Sequence, residues 1–298
     1  VFLLIMSGFW TSFNQIFYTM PEFIRDFVET RPMIELVEDV FGESDPEDPT
    51  VGVASKVATI NPAERDEIVS NLKRLIERGP TDDALADASL ALLQGKVRVA
   101  PDDLAGMLSE AGGDVELLAD RVMIDARQVN PEFVVNIDAG AIVLFQVFVS
   151  FLMARFHRFT TMIVGMVIAA VGIGLSALAG SEGMIGAGGS IWIVALGLFI
   201  FAIGEMMASP TSQEYVGRIA PPAKKALYMG YYFVAIALGN LFGGILSGEL
   251  YGKLARDMQR HDLMWLAFGG LMLLTALIFM LYDRFLIPRD GEHRMAEA

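Results

Sequence analysis

Apolar residues along this chain fall into six blocks, separated by short polar stretches and, after the first block, by one long one. Each block holds about 20 residues, the length at which a helix crosses about 30 Å of hydrocarbon. The blocks predict spans over residues 1–20, 134–156, 161–179, 190–216, 227–251 and 263–288. Residues 180–189, with no Lys or Arg, read as a loop between the third and fourth spans. The expectation is an all-α membrane protein in three parts. Residues 1–21 form a first transmembrane helix, 22–130 an extramembrane insert, and 131–298 five further spans with a tail.

The insert follows a different pattern. Ile68, Leu72, Leu75 and Ile76 recur at helical spacing. Asn61, Pro62 and Glu64 offer a cap before them, and Gly79–Pro80 a stop after. Residues 81–94 predict a second helix, 101–111 a third and 114–127 a fourth. Val97 and Val99 alternate with Lys96 and Arg98, which predicts one short strand. Residues 43–49 read as a solvated linker. The insert is therefore a small, mostly helical soluble module.

Composition agrees with the spans. Apolar residues make up 54% of the chain, and mean hydropathy is +0.48. The net charge of −14 belongs to one region: residues 21–138 hold 26 of the 36 acids and 11 of the 22 bases. An acidic module repels nucleic acid, which excludes it as a partner. With no cysteine and only three scattered histidines, no metal centre, thiol chemistry or cofactor is expected. No nucleophile or phosphate-binding motif appears, so an enzyme is not expected. The chain opens at Val1 inside an apolar block, with no basic region before it, and reads as a fragment beginning mid-protein.

Lys and Arg in short loops set orientation. Arg155, Arg158, Arg218, Lys224, Lys225, Arg284, Arg289 and Arg294 fall on one side of the membrane; Lys253, Arg256 and Arg260 fall on the other. The C-terminus is expected in the cytoplasm and the insert outside, in a plasma or inner membrane.

Polar residues inside the spans carry the candidate chemistry. A carboxylate near bilayer depth costs about 2.5–3.5 kcal/mol on insertion scales, so Glu205 must face a bundle interior or a wet cavity. It is a candidate to bind a substrate amine or a proton, the alternative being a Glu bonded to a neighbouring helix. Ser209 shares its face, and Pro210 frees a carbonyl on the preceding turn and offers a kink for gating. Trp10, Asn14, Gln15 and Gln146 are candidates to line a solute cavity; for the amides the alternative is hydrogen bonding between helices. Tyr228, Tyr231 and Tyr232 form either a cavity wall or an interfacial belt. Gly239 with Gly243, and Gly244 with Gly248, are spaced for close helix contact. Glu214 and Arg218 form an i,i+4 pair, solvated or at a gate.

Together these residues form a pattern. Residues 204–210, Gly-Glu-Met-Met-Ala-Ser-Pro, resemble the GE-x-x-x-SP motif of the proton-dependent oligopeptide transporter family, within the major facilitator superfamily. Ala220-Pro221, Met229-Gly230, Tyr232-Phe233 and Gly239-Asn240 resemble further landmarks of that family at its spacing. Phe9-Trp10 followed by Phe13-Asn14-Gln15 resembles its seventh helix, and Gln128 with Asn130-Pro131 its QxxNP entry to the eighth. The resemblance covers all six spans but not the insert. It implies the C-terminal six-helix half of a symporter for di- and tripeptides or similar zwitterionic solutes, driven by protons and working by alternating access with an N-terminal six-helix half. It also implies that Glu205 meets the peptide amine and Tyr232 walls the side-chain pocket.

There are departures. Asn14 stands where the family commonly carries a titrating acid, and Ser212-Gln213 where it has Gly-Leu. The superfamily's basic loop motif survives only as Ala154-Arg155-Phe156-His157-Arg158. Two other readings stay open: a homologue moving a different solute without proton coupling in this half, and a non-transporting sensor or interaction protein acting through the insert.

Overall fold

The computed structural model describes residues 1–42, 57–59, 65–94, 97, 99–179 and 189–286. The predicted linker at 43–49, the cap at 61–64, residues 180–188 of the predicted loop, Lys96, Arg98, Arg289 and Arg294 lie outside the described residues.

The described chain is helical nearly throughout, an all-α membrane protein with five helices long and apolar enough to cross a membrane. It divides into two compact units, one of residues 1–23 with the chain from Val134 onward, the other Ile24–Phe133.

In the first unit the predicted opening span is not one helix. It runs as α1 (Phe2–Phe13), α2 (Gln15–Tyr18) and the start of α3 (Met20–Phe27). The breaks fall at Asn14 and Thr19. Asn14 Nδ2 bonds the Trp10 carbonyl and Gln15 Nε2 the Thr11 carbonyl, each four residues back. Side chains that bind carbonyls on the previous turn compete with the helix ladder and bend it.

The other five spans are single helices: α9 (Pro131–Met153), α10 (Arg158–Leu175), α11 (Ile191–Ile219), α12 (Lys225–Leu250) and α13 (His261–Leu286). Asn130 caps α9 with its side chain on the Glu132 amide, and Pro131 takes the first helical position, where no donor is needed. α11 runs through Pro210 without a break.

Glycines decide which of these helices approach closely. A Cβ at Gly172 would lie 2.5 Å from the Phe201 nitrogen, and one at Gly204 2.5 Å from the Ala169 nitrogen and the Gly165 carbonyl. Only glycine lets α10 and α11 meet backbone to backbone here. Elsewhere Ser12 Oγ on α1 donates to the Phe268 carbonyl on α13 at 2.7 Å, and Phe2, Phe159, Phe279, Tyr215 and Tyr282 form one aromatic cluster. α9 and α12 each leave one face uncovered. Val143 and Val147 on α9 are 83% exposed, and α12 exposes Phe233, Leu241, Phe242 and Ile245. Such apolar faces need lipid or protein over them.

The second unit begins with α4 (Arg31–Phe41) and builds its core from α5 (Arg65–Arg78), α6 (Asp82–Gln94), α7 (Pro101–Ala111) and α8 (Val115–Asp125). Ile68, Leu72, Leu75, Leu92, Leu104, Leu118 and Val122 fill it. Asp114 caps α8 by accepting from the Glu116 and Leu117 amides, and Gly112 takes a left-handed conformation after α7. Val97 and Val99 are both buried in this core, as their alternation predicts, but neither lies in a strand, which corrects the strand expectation at these two residues. A short antiparallel pairing in this unit joins β1 (Ala58–Thr59) to β2 (Gln128–Val129). Burial pushes the Asp125 carboxyl up from the usual carboxylate range, against the pull of Arg31.

Candidate functional site

Glu205 is the middle residue of the 29-residue helix α11, about 21 Å from either end at 1.5 Å per residue. Gly204 fixes its setting by bringing α11 against α10. The Glu205 side chain is half-buried, and it faces Asp138 of α9 within hydrogen-bonding reach. Asp138 is 3% exposed. One oxygen of each, Glu205 Oε2 and Asp138 Oδ1, is buried with no hydrogen-bond partner. Among the described residues no cation balances the pair.

The sequence reading does not single out Asp138. At the edge of an apolar block, an acid reads as the tail of the acidic insert. The available signal is its distance from Pro131: seven residues into a membrane-length helix it stands inside the span, where a carboxylate is costly.

One turn beyond Glu205, Ser209 is buried and Pro210 is exposed. The missing N–H of Pro210 leaves the Met206 carbonyl without its helical donor. Gln146 Nε2 on α9 reaches that carbonyl at 3.5 Å and also donates to Ser150 at 2.9 Å. Gln146, a candidate either for cavity lining or for bonding between helices, here meets a carbonyl that the proline releases.

Asn14 and Gln15 are likewise placed between helices. Asn14 Nδ2 donates to Asn240 Oδ1 at 2.6 Å, Gln15 Nε2 to the Gly243 carbonyl at 3.0 Å, and Thr19 shares a 2.8 Å bond with Ser247. Asn14, Gln15 and Thr19 are buried, Gln15 completely. Gly239 lies under Trp10, where an added Cβ would come within 2.3 Å of the Trp10 Cβ, and Gly243 lies under Thr11 and Asn14. The amides of Asn14 and Gln15 join α1 and α2 to α12, the interhelical bonding that is the alternative to cavity lining. Gly244 and Gly248, expected to form a second close contact, face open space.

Tyr232 is also buried completely. Its hydroxyl shares a 2.7 Å bond with Ser212, and the side chains of Trp10 and Gln213 flank it. In this structure Tyr232 and Trp10 are interior residues behind the helix surface rather than an open pocket wall. Tyr231, one position earlier, is 50% exposed. At the end of α11, Glu214 bonds Arg218 at 2.7 Å and Arg158, at the start of α10, at 3.3 Å. All three are solvated, so the cluster adds little stability.

Comparison with known proteins bears on this arrangement. The sequence model of the Major Facilitator Superfamily matches residues 131–297, more than half of the chain. The peptide transporter YePEPT of Yersinia enterocolitica subsp. palearctica serotype O:3 (strain YE-P4) is 27% identical over 95 residues, 30% of this chain and 18% of that protein. The matched region thus spans less than a fifth of that relative's length. No solved structure gives a significant match.

Proposed function

The chain belongs to the Major Facilitator Superfamily, and on that footing we propose that it supplies the C-terminal half of a secondary transporter for small peptides or similar zwitterionic solutes. The carrying observation is Glu205: an acid at the midpoint of a membrane-length helix, with no cation beside it among the described residues. A buried carboxylate without a counter-charge is a receptor for one, and a peptide's ammonium group supplies it. Similarity to a peptide transporter and the residues 204–210 support the peptide class.

In this reading the solute meets α11 at Glu205, with Ser209 one turn on. Tyr232, Trp10, Asn14 and Gln15 hold the wall behind it. The exposed apolar faces of α9 and α12 meet lipid or an N-terminal six-helix half, against which this half moves in alternating access. The C-terminus faces the cytoplasm and the insert the outside, following the excess of Arg and Lys on one side. Protons drive uptake as symported ions.

The test is Glu205→Gln in the full-length protein, reconstituted in liposomes and given labelled alanyl-alanine. Losing one charge of a desolvated pair costs about 2 kcal/mol or more, so binding is expected to fall at least about 30-fold. Normal binding and uptake by a properly inserted variant would overturn the assignment. The insert's own core supports a second reading, in which the module captures a partner. Deleting residues 42–125 separates the two: surviving uptake with lost partner capture assigns the insert its own task.

A further inference from the structure

The role proposed for Glu205 needs one carboxyl, and the structure provides two. Asp138 reaches it from α9 and is the more buried of the pair. Ionised carboxylates only accept hydrogen bonds, so two of them cannot bond without a proton between them. Side by side in a low-dielectric interior they also repel strongly, so both do not ionise together.

The other elements around Glu205 offer nothing to relieve this. Residues 159–175 of α10 contain no titratable group. On α11 the next acid is Glu214, at the helix end and paired with Arg158 and Arg218. On α12 the buried titratable group is Tyr232, whose hydroxyl is held by Ser212. On α9 the other acid is Glu132, in the first turn. Asn14, in the opening span, does not titrate.

We propose that Asp138 and Glu205 act as one proton-holding pair, and that Asp138 makes the charge Glu205 shows to its solute depend on pH. The inference rests on the reading of Glu205 as the solute-facing acid. With one shared proton the pair carries a single negative charge and holds one ammonium group. A second proton cancels that charge and releases the ammonium, and loss of that proton to water restores the pair. Only O–H bonds form and break. Asp138 acts through Glu205 and need not touch the solute.

The experiment uses the full-length protein in liposomes with two readouts. The first needs no solute: infrared difference spectra of the protonated carboxyl C=O stretch, followed against pH. The native pair is expected to titrate in two separated steps. In Asp138→Asn the like charge is gone, and Glu205 should take up its proton in a single step lying between the two native ones. The second readout is alanyl-alanine uptake against pH: its acid limb follows the lower native step, so it should move toward higher pH in Asp138→Asn and return in Asp138→Glu. If Asp138→Asn fails to insert, the same collapse to one step is read on Asp138 in Glu205→Gln. Native titration and an unmoved uptake profile in Asp138→Asn would overturn the pair while leaving the Glu205 role standing. Uptake unaffected by Glu205→Gln, with two-step titration intact in the native protein, would remove the transport role and leave the pair.

Discussion

Two helix pairs in the membrane unit are held together by different means. α10 and α11 meet through bare backbone, with Gly165, Gly172, Gly197 and Gly204 letting carbonyls and amides touch. α1 and α2 also meet α12 over glycines, Gly239 and Gly243, but add a polar seam of amides and hydroxyls from Asn14, Gln15, Thr19, Asn240 and Ser247. At the first contact no side chain separates the two backbones at these glycines. The second can exchange its hydrogen bonds for water, and such bonds between membrane helices are worth only about 0.6 kcal/mol each. Glu205 therefore sits on the pair that backbone contact alone holds, while the other contact adds bonds that water can replace.

Three experiments probe this contrast, in falling order of effect. Gly204→Val places methyl groups where a single Cβ already lies 2.5 Å from backbone atoms. It should cost about 3 kcal/mol or more and appear as lost monodisperse protein and a lowered melting temperature. A Gly204→Val protein that melts normally would show that α10 and α11 can separate freely. A double-mutant cycle of Asn14→Ala and Asn240→Ala should give a coupling of about 0.6 kcal/mol in thermal stability. A coupling as large as the glycine effect would erase the distinction between the two contacts. Gly244 neighbours Gly243 in sequence but points away from the seam, into open space. Gly244→Ala should therefore leave stability unchanged or raise it by a few tenths of a kcal/mol. A marked loss there would mean that its helix face is covered after all.

The spans are legible in the sequence because apolar length is a one-dimensional property. The predicted ends of the five long helices differ from the observed ones by a few residues at most, as at 134–156 against Pro131–Met153. The opening span is different: the amides that draw attention to it also interrupt it, and a hydropathy reading sees only the total length. Glu205 stands out because an acid in mid-span has no innocent place. What a sequence does not display is which helix lies across from which. The Gln146 bond to the carbonyl freed by Pro210, the contact of Asp138 with Glu205, and the seam from Asn14 to Asn240 each join residues about 60 or more apart. Spacing along one helix tells which residues share a face, not what that face meets.

The buried hydroxyl of Thr30 donates to Gln128 Oε1 at 2.7 Å and accepts from the Val129 amide at 2.9 Å. Beside it Arg31 pairs with Asp125, and Glu38 with Arg127. The chain entering the insert is thus fastened to the chain leaving it, 98 residues later. Closing a loop costs entropy that grows only with the logarithm of its length. A clasp at the neck makes that cost a local matter of the insert. What hangs beyond the clasp can then lengthen, shrink or be exchanged for an unrelated domain over evolutionary time, and the same neck is a natural port for grafting a reporter domain.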